Sequence, residues 1–151
     1  MGLLSRAPEP APPPASGRRA SAWVATWGAA SLCLTLSAGI AIDRLRANRQ
    51  TTAVAVALTS GDQALAPPIF RRYGCTGCHT IPGIPGADGK VGGSLEGLQA
   101  RVYIAGTLNN TADALVAWIA EPQRFSPHSA MPATGISQQE ARHLAAYLYT
   151  R

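Results

Sequence analysis

Charged residues are scarce in this sequence. Of the 151 residues, 14% are Asp, Glu, Lys or Arg, whereas about a quarter is typical of soluble globular proteins. This shortage excludes a coiled coil, a solvated polyelectrolyte and a generic disordered protein as descriptions of the whole chain. The length allows one ordinary domain, or a smaller domain with an appended segment.

Lysine is almost absent, and the basic residues are unevenly placed. A net charge of +5 and a pI near 9.6 would ordinarily suggest a nucleic-acid partner. However, residues 1–60 hold six Arg against two acidic residues, whereas residues 61–151 hold seven Lys and Arg against six acidic residues. The excess positive charge therefore lies in the N-terminal part, where it can meet anionic lipid. We expect no nucleic-acid partner.

Cysteine is also rare, and its count is odd. Because there are three cysteines, they cannot all pair within the chain. Cys33 lies inside a long apolar run without a lipoprotein box before it, so we interpret it as a small hydrophobic residue. The other two, Cys75 and Cys78, lie close together and form a motif with the residue that follows them.

The N-terminal third divides into three segments. Residues 1–21 are rich in Pro, Ala and Ser, and we expect a flexible tail there. Residues 22–42 contain no charge, and at about 1.5 Å per residue a helix of this length matches the roughly 30 Å hydrocarbon core of a bilayer. Trp23 and Trp27 lie near its first end, as is typical of membrane interfaces. The sequence therefore predicts a transmembrane helix over 22–42, followed by a linker over 43–60.

A cleavable signal peptide is the alternative for this apolar run. Gly39, Ile40 and Ala41 form a weak cleavage site. A signal peptide has an apolar stretch of about 7 to 15 residues after a short basic start, whereas here a Pro-rich segment precedes a longer run. These features favour a retained anchor. The arginines do not orient it, because three precede the span and three follow it.

Residues 61–151 form the predicted compact domain. Short apolar stripes at helical spacing are separated by Gly- and Pro-rich loops, and no alternating strand pattern competes with them. We therefore expect an all-α domain. Its predicted helices run over 68–73, from a Thr111 cap to Pro122, and from a capping box of Ser137 and Glu140 onward.

Cys75, Cys78 and His79 form a Cys-x-x-Cys-His motif. Two thiols three residues apart can add across the two vinyl groups of a haem while the next imidazole reaches the iron, so the motif is typical of c-type haem attachment. A structural zinc site would need four ligands, and no second Cys pair or close His pair is present. A thioredoxin-like pair would need a following helix, whereas a Gly-rich loop follows here. A plain disulfide is the remaining alternative.

Met131 is the candidate for a second iron ligand. It is the only methionine besides Met1, and it lies next to Pro132 in a loop between two predicted helices. A core methionine would more often lie on the apolar stripe of a helix. His128 is the rival ligand, and His143 on the final helix is a weaker one.

On these residues the sequence resembles the class I cytochrome c family, in particular its small membrane-anchored bacterial monohaem members. The resemblance covers about residues 61–151. Its carriers are Cys75, Cys78, His79, Met131, Pro132 and the closing residues 144–148. It implies one covalently bound haem c, with thioethers to the two cysteines and with His79 and Met131 as iron ligands. It also implies a fold whose first and last helices cross beside the haem.

The sequence departs from the family pattern in two places. The family usually has Gly-Pro-x-Leu after the haem loop, where the Pro carbonyl accepts a hydrogen bond from the ring of the ligand His. Here residues 92–95 have the sequence Gly-Gly-Ser-Leu, which keeps a carbonyl but loses the rigidity of proline. Pro67 and Pro68 also shorten the first helix of the domain.

Several apolar and larger polar side chains are candidates for the surroundings of the haem. Apolar residues exclude water from the macrocycle, which raises its potential. Arg101, Tyr103 and Trp118 are candidates to hydrogen-bond the haem propionates; the alternative is that Arg101 is a solvated charge and Trp118 a core residue. The expected apolar lining consists of Ile81, Leu95, Leu98, Ile104, Leu115, Trp118 and Ile119.

This ligand set predicts electron transfer rather than catalysis. An iron with His and Met ligands is closed to substrate, and thioether ligation favours the ferrous state. We therefore expect a carrier of single electrons in a respiratory chain, to or from a terminal oxidase or another membrane complex, with no catalytic residues. The alternatives are a fixed cytochrome subunit of a periplasmic dehydrogenase or oxidase complex, a ligand-binding or peroxidatic haem protein whose Met131 detaches, and a haem-free zinc or thiol module.

The resemblance also implies a location. In this family, haem is attached on the outer side of the bacterial inner membrane. We therefore expect a single-pass inner-membrane protein with its haem domain in the periplasm and its Pro-rich tail in the cytoplasm. Its expected partners are redox proteins of the membrane or periplasm, and the membrane itself through the N-terminal helix.

Overall fold

The computed structural model describes the backbone of residues 17–151 and the side chains of residues 27–151. Its internal contacts divide the chain into two units, residues 1–44 and 45–151. Most of the predicted Pro-rich tail, residues 1–16, lies outside the described residues. The elements in chain order are α1 (Gly17–Thr59), α2 (Ala66–Arg72), α3 (Cys75–Cys78), β1 (Tyr103–Ile104), β2 (Leu108–Asn109), α4 (Ala112–Ala120), α5 (Pro122–Phe125) and α6 (Gln138–Leu148).

Helix α1 contains the predicted transmembrane segment 22–42. Within the described part of the chain it is the one helix long and apolar enough to cross a membrane. The apolar side chains of residues 27–42 are exposed, and Trp27, for example, is 72% exposed. Cys33 is exposed as well. An apolar helix surface that no protein covers is what a membrane anchor requires.

Residues 43–60, predicted to be a linker, are helical as far as Thr59. Ala, Leu, Arg and Gln in this stretch are good helix formers, and the helix ends only where Ser60 adopts a left-handed conformation with φ of 55°. The last turns of α1 pack against the other helices of the second unit, and Ala55 and Thr59 are buried there. The Thr59 carbonyl oxygen accepts a hydrogen bond from Arg142 of α6 at 3.2 Å. These turns are therefore part of the second unit.

Local sequence signals explain where the helices of the second unit begin. Helix α2 has two prolines in its first turn, where no intrahelical N–H is needed, and it covers the predicted helix 68–73 within two residues. Thr111 caps α4, because its side-chain oxygen accepts from the Ala114 N–H at 3.2 Å. The predicted capping box of Ser137 and Glu140 is present at the start of α6. These three predictions are confirmed.

Helices α2 and α6 pack against each other in the core. The rings of Phe70 and Tyr147 meet edge to face, with their centroids 5.5 Å apart. Leu144 and Leu148 of α6 are buried in the same cluster. The contact of Phe70 with the last helix was expected from the family resemblance. Tyr73 packs against this cluster as well, and its hydroxyl donates a hydrogen bond to Glu140 at the start of α6.

A short hairpin interrupts the helical domain. Strands β1 and β2 pair antiparallel, Tyr103 opposite Asn109 and Ile104 opposite Leu108. The sequence predicts no strand here, because two-residue strands are too short to show an alternating pattern. The hairpin places Ile104 in the core and leaves Tyr103 on the surface.

Candidate haem-binding site

The Cys-x-x-Cys-His motif folds as one helical turn and its exit. Gly74 ends α2 with φ of 70°, a left-handed conformation that glycine adopts without a steric penalty. The chain then enters α3, which contains both cysteines, and the His79 N–H donates to the Cys75 carbonyl oxygen at 3.0 Å. Residues three apart on a helix lie on one face. The turn therefore presents the two thiols side by side, next to His79.

The two cysteines are free thiols, with Cys75 half-buried and Cys78 exposed. Burial raises the pKa of the Cys75 thiol above its ordinary value. A redox-active Cys pair instead needs a lowered pKa and a thiolate. Across residues 27–151, no group of three or more His, Cys, Asp or Glu side chains converges on a possible metal site. The raised pKa of Cys75 weighs against the thiol-exchange alternative.

A backbone carbonyl fixes the orientation and the tautomer of the His79 ring. Its Nδ1 atom lies 2.7 Å from the Gly93 carbonyl oxygen. Because a carbonyl only accepts, Nδ1 carries the hydrogen, which leaves the lone pair of Nε2 free to bind a metal. The sequence predicted that a carbonyl would remain here although the usual proline is missing, and Gly93 supplies it.

Gly92 lies directly against the face of the His79 ring. A Cβ atom at this position would overlap the imidazole. The same segment is bonded to the motif through its backbone, since the Gly92 N–H donates to the Cys78 carbonyl oxygen at 2.7 Å and the Leu95 N–H to that of Thr80 at 2.9 Å. The missing side chain of Gly92 is therefore what allows the loop to hold His79.

His79 and Met131 line one cleft. The cleft has a larger compartment of about 320 Å³ and a smaller one of about 120 Å³, and Cys75, Gly92 and Ala130 also line both. The larger compartment is mostly apolar, as expected for a cofactor site. Six of the seven predicted apolar residues line it, and Ile81 is buried in the core instead. These six are Leu95, Leu98, Ile104, Leu115, Trp118 and Ile119.

The donor atoms in this cleft fit a c-type haem. An imidazole with a free Nε2 and a thioether face one apolar space, and a thiol of the Cys pair lies at its wall. Haem iron takes nitrogen and thioether ligands, and the macrocycle needs an apolar enclosure. The residues present therefore match the group that the motif predicts.

The loop around Met131 is held by a side chain that no sequence pattern predicts. Gln123 of α5 donates from Nε2 to the Met131 carbonyl oxygen at 2.6 Å and to that of Ser129 at 3.3 Å. The Met131 N–H donates to the Ser129 hydroxyl at 3.2 Å. Gln123 follows Pro122 in an otherwise unremarkable sequence, so no local pattern marks its role.

The two rival histidines lie elsewhere. His128 is exposed and lines neither compartment. His143 is half-buried, and its Nδ1 accepts a hydrogen bond from the Asp62 N–H at 2.8 Å. Because neither ring faces the cleft, Met131 is the better placed partner for His79.

The three candidate propionate ligands are not equivalent. Arg101 and Trp118 line the larger compartment, whereas Tyr103 does not and is 56% exposed on β1. Tyr103 is directed outward because successive side chains of a strand point to opposite faces and its neighbour Ile104 is buried. The Arg101 guanidinium donates to the carbonyl oxygens of Ser94 at 2.6 Å and Glu96 at 2.9 Å.

Comparisons with known proteins give one family and one relative. The family model described as cytochrome c matches residues 65–151. Cytochrome c oxidase subunit 2 of Alkalihalophilus pseudofirmus (strain ATCC BAA-2126 / JCM 17055 / OF4) is 35% identical over 81 residues, which are 53% of this chain and 23% of that protein. The chain thus spans less than a quarter of the length of this relative. No solved structure gives a significant match.

Proposed function

We infer that this chain, which belongs to the cytochrome c family, carries single electrons by means of one covalently bound haem c. The observation that carries this proposal is the convergence of His79 and Met131 on the cleft that Cys75 also lines. When bound, haem c supplies an iron that is oxidised and reduced by one electron.

Cys75 and Cys78 would attach the haem. Each thiol adds across one vinyl group, so that its sulfur bonds to one vinyl carbon and its hydrogen goes to the other. This addition needs no oxidant. The single helical turn of α3 supports the role, because it presents the two thiols at one edge of the cleft.

His79 through Nε2 and Met131 through its sulfur would be the two protein ligands of the iron. The Gly93 carbonyl oxygen keeps the imidazole in the tautomer that can bind iron. Two protein ligands leave no position for substrate, and the apolar lining excludes water. This arrangement favours an electron carrier over an enzyme or a peroxidatic protein, and we propose no catalytic residue.

Trp118 and Arg101 are the proposed contacts to the haem propionates. Both line the larger compartment. Arg101 has five N–H donors, and its two recorded bonds use one terminal nitrogen, so donors remain for a carboxylate. Tyr103 is left out of this proposal because its exposed side chain does not line the cleft.

We propose that α1 anchors the chain in the bacterial inner membrane, with the haem domain in the periplasm. The uncovered apolar surface of residues 27–42 supports an anchor. The orientation follows from the side on which the family acquires its haem. Reporter fusions at residue 10 and residue 151 should report opposite sides of the membrane, whereas two periplasmic signals would mean that the apolar segment is a signal peptide.

A terminal oxidase is the proposed partner. The relative is named as a subunit of cytochrome c oxidase and shares 81 aligned residues with this chain, which supports both a mobile carrier for an oxidase and a fixed subunit of one. Extraction with a mild detergent distinguishes a mobile carrier from a fixed subunit. A fixed subunit should remain with the oxidase through purification, whereas a carrier should separate from it.

The haem content and spectrum of the purified full chain test the central proposal. After production in cells that attach c-type haem, a haem stain should persist on a denaturing gel. The oxidised protein should have a far-red band from Met–iron ligation, and the reduced protein should not bind carbon monoxide. Rapid carbon monoxide binding would instead indicate a ligand-binding protein. A negative haem stain would indicate a thiol or zinc module.

A further inference from the structure

One amide side chain closes the turn that carries Arg101. Leu98–Ala100 form a single 3-10 turn, and Arg101 follows it with an extended backbone. The Asn110 side chain donates from Nδ2 to the Leu98 carbonyl oxygen at 2.7 Å and to the Arg101 carbonyl oxygen at 2.8 Å. Both Leu98 and Arg101 line the larger compartment of the cleft. The amide therefore joins the two ends of a turn that borders the proposed haem site.

The hairpin brings Asn110 to this turn. Strand β2 ends at Asn109, which lies opposite Tyr103, so the next residue of the chain reaches Val102. There the Asn110 N–H donates to the Val102 carbonyl oxygen at 2.9 Å. This backbone bond fixes the position from which the Asn110 side chain reaches the carbonyl oxygens of the turn. The register of the hairpin is therefore what places an amide beside Arg101.

Tyr149 fixes the direction in which this amide points. Its hydroxyl donates to Asn110 Oδ1 at 2.9 Å. Because backbone carbonyl oxygens only accept, they require the NH₂ group of the amide, and its oxygen is left for the hydroxyl. Tyr149 directly follows α6 and packs against the core. Burial raises the pKa of its hydroxyl above the ordinary value, so the donor keeps its proton at neutral pH.

The other end of Arg101 is held as well. Its guanidinium donates to the carbonyl oxygens of Ser94 and Glu96, while Asn110 holds its backbone. A long exposed side chain has many rotamers, and ordering it costs conformational entropy. A side chain that is restrained beforehand pays less of this cost when it binds a ligand. Arg101 is therefore prepared for a partner inside the cleft.

We propose that Asn110 is a positioning residue, which holds Arg101 in place for the carboxylates of the haem propionates and is itself supported by Tyr149. This inference rests on the proposed function, because it concerns the cofactor assigned there. Arg101 would bind a carboxylate through the N–H donors that Ser94 and Glu96 leave free. Asn110 and Tyr149 line neither compartment of the cleft, so they act through Arg101.

A positioned guanidinium has a measurable effect on the potential. It lowers the pKa of a neighbouring carboxylate by about 1 to 3 pH units. Its positive charge also favours the reduced iron, which has one positive charge fewer than the oxidised iron. The potential of a haem falls as the pH rises through the pKa of a propionate. Weaker pairing should therefore lower the potential and move its pH-dependent range upward.

The test is a redox titration of the haem-loaded full chain, in lipid nanodiscs, as a function of pH. Arg101→Ala should lower the potential and move its pH-dependent range upward by about 1 to 2 pH units. Asn110→Ala should shift the range in the same direction by less, because the guanidinium remains but is less restrained. Asn109→Ala is the matched control, since Asn109 is the exposed neighbour on β2; it should titrate like the unchanged chain.

A double variant separates positioning from a general effect on stability. If Asn110 acts through Arg101, Arg101→Ala combined with Asn110→Ala should titrate like Arg101→Ala alone. Tyr149→Phe removes one hydroxyl and should shift the range by less than Asn110→Ala. Tyr103→Phe is its control, because Tyr103 is exposed and does not line the cleft. If Asn110→Ala loses its haem, the comparison of these two Phe variants decides instead.

Three outcomes would overturn the proposal. An unshifted Asn110→Ala beside a shifted Arg101→Ala would mean that Arg101 needs no support from Asn110. Additive shifts in the double variant would mean that Asn110 acts on the haem by another route. An unshifted Arg101→Ala would mean that Arg101 does not bind a propionate.

The proposed function is judged by separate measurements on the same samples. The haem stain reports covalent attachment, the far-red band reports the iron ligands, and neither depends on Arg101. A chain that passes both tests but titrates alike in every variant is an electron carrier in which Asn110 has no positioning role. An unchanged chain without a haem stain overturns the proposed function, and this inference with it.

Discussion

The two sides of the cleft are built by different means. On the His79 side, backbone groups position the ring. The Gly93 carbonyl oxygen fixes its orientation, and Gly92 packs against its face. On the Met131 side, the backbone of residues 130–136 makes no backbone–backbone hydrogen bond within the described chain. There the amide of Gln123 holds the loop.

This difference determines what each side tolerates. A backbone contact survives the exchange of most side chains, but it fails where a new Cβ atom has no room. A loop held by one amide tolerates added atoms and depends on that amide. We therefore expect a substitution at a glycine to displace the His79 ring completely. On the Met131 side, we expect substitutions to increase the mobility of the loop gradually.

Gly92→Ala should have the largest effect. The new Cβ atom would overlap the His79 ring, and overpacking of this kind costs about 1 to 3 kcal/mol or more. We expect loss of the His79 ligand or of the haem, measured by the visible spectrum and by thermal unfolding. Gly93→Ala is the matched control, because a Cβ there has no atom within 4 Å. If the two variants behave alike, the close approach at Gly92 is not what holds the ring.

Met131→Leu should have the next largest effect. The covalent haem should remain, whereas the far-red band should disappear and the potential should fall, since axial ligands set haem potentials over a range of about 0.8 V. A redox titration with the oxidised spectrum measures both. If the band survives, another group is the ligand, and His128 is the first to test. This result would mean that the loop around Met131 does not hold an iron ligand, and the comparison of the two sides would no longer apply.

Gln123→Leu should loosen the same side without removing its ligand. The carbonyl oxygens of Met131 and Ser129 would lose their donor, at a cost of about 0.5 to 1.5 kcal/mol for a part-buried hydrogen bond. We expect a weaker far-red band and faster carbon monoxide binding by the reduced protein. Gln139→Leu on the exposed face of α6 is the control. An unchanged carbon monoxide rate would show that Gln123 does not restrain the loop.

The motif residues were predictable because each signal lies within a few neighbouring residues. The spacing of Cys75, Cys78 and His79 and the isolation of Met131 in a loop needed no knowledge of the fold. The capping box at Ser137 is equally local. The sequence did not predict that the segment 43–59 is helical and packs on the domain. Its buried positions, such as Ala55, can be recognised only when the rest of the domain is known.

The contacts that hold His79 and Met131 were harder to predict. The Gly93 carbonyl lies 14 residues from His79, and the link between Gln123 and Met131 depends on how α5 meets the following loop. Tyr103 illustrates the reverse error. Its residue type suits a propionate contact, but strand alternation in a hairpin too short to predict directs it outward.

Glu140 joins the end of α2 to the start of α6, and its substitution should have the smallest effect. Its carboxylate accepts from the Ser137 and Tyr73 hydroxyls, both at 2.8 Å, and pairs with Arg72. Hydrogen bonds from Ser137 and then from Tyr73 hold the pKa of Glu140 below its ordinary value of 4.5. This stabilisation is present above that ordinary pKa and is lost as pH falls through the lower folded value.

Thermal unfolding of the unchanged chain and of Glu140→Gln as a function of pH measures this contribution. Glu140→Gln should lower the Tm at neutral pH, and the difference should shrink once the pH falls below the folded pKa. Tyr73→Phe removes one donor and should move the Tm in the same direction by less. A difference between the chain and Glu140→Gln that is constant down to acid pH would mean that the charge of Glu140 does not stabilise the contact between α2 and α6.

The end of α1 has a practical consequence for anyone preparing a water-soluble fragment. A fragment cut at residue 65, where the family match begins, would lose the Thr59 carbonyl that binds Arg142, the Asp62 N–H that binds His143, and the Gln63 side chain that binds Thr150. All three partners lie on or just after α6, the helix that closes the core. A start at Thr52 would keep these contacts and the bond from Gln63 to Thr52 itself. Yield, solubility and crystal quality should depend on these thirteen residues.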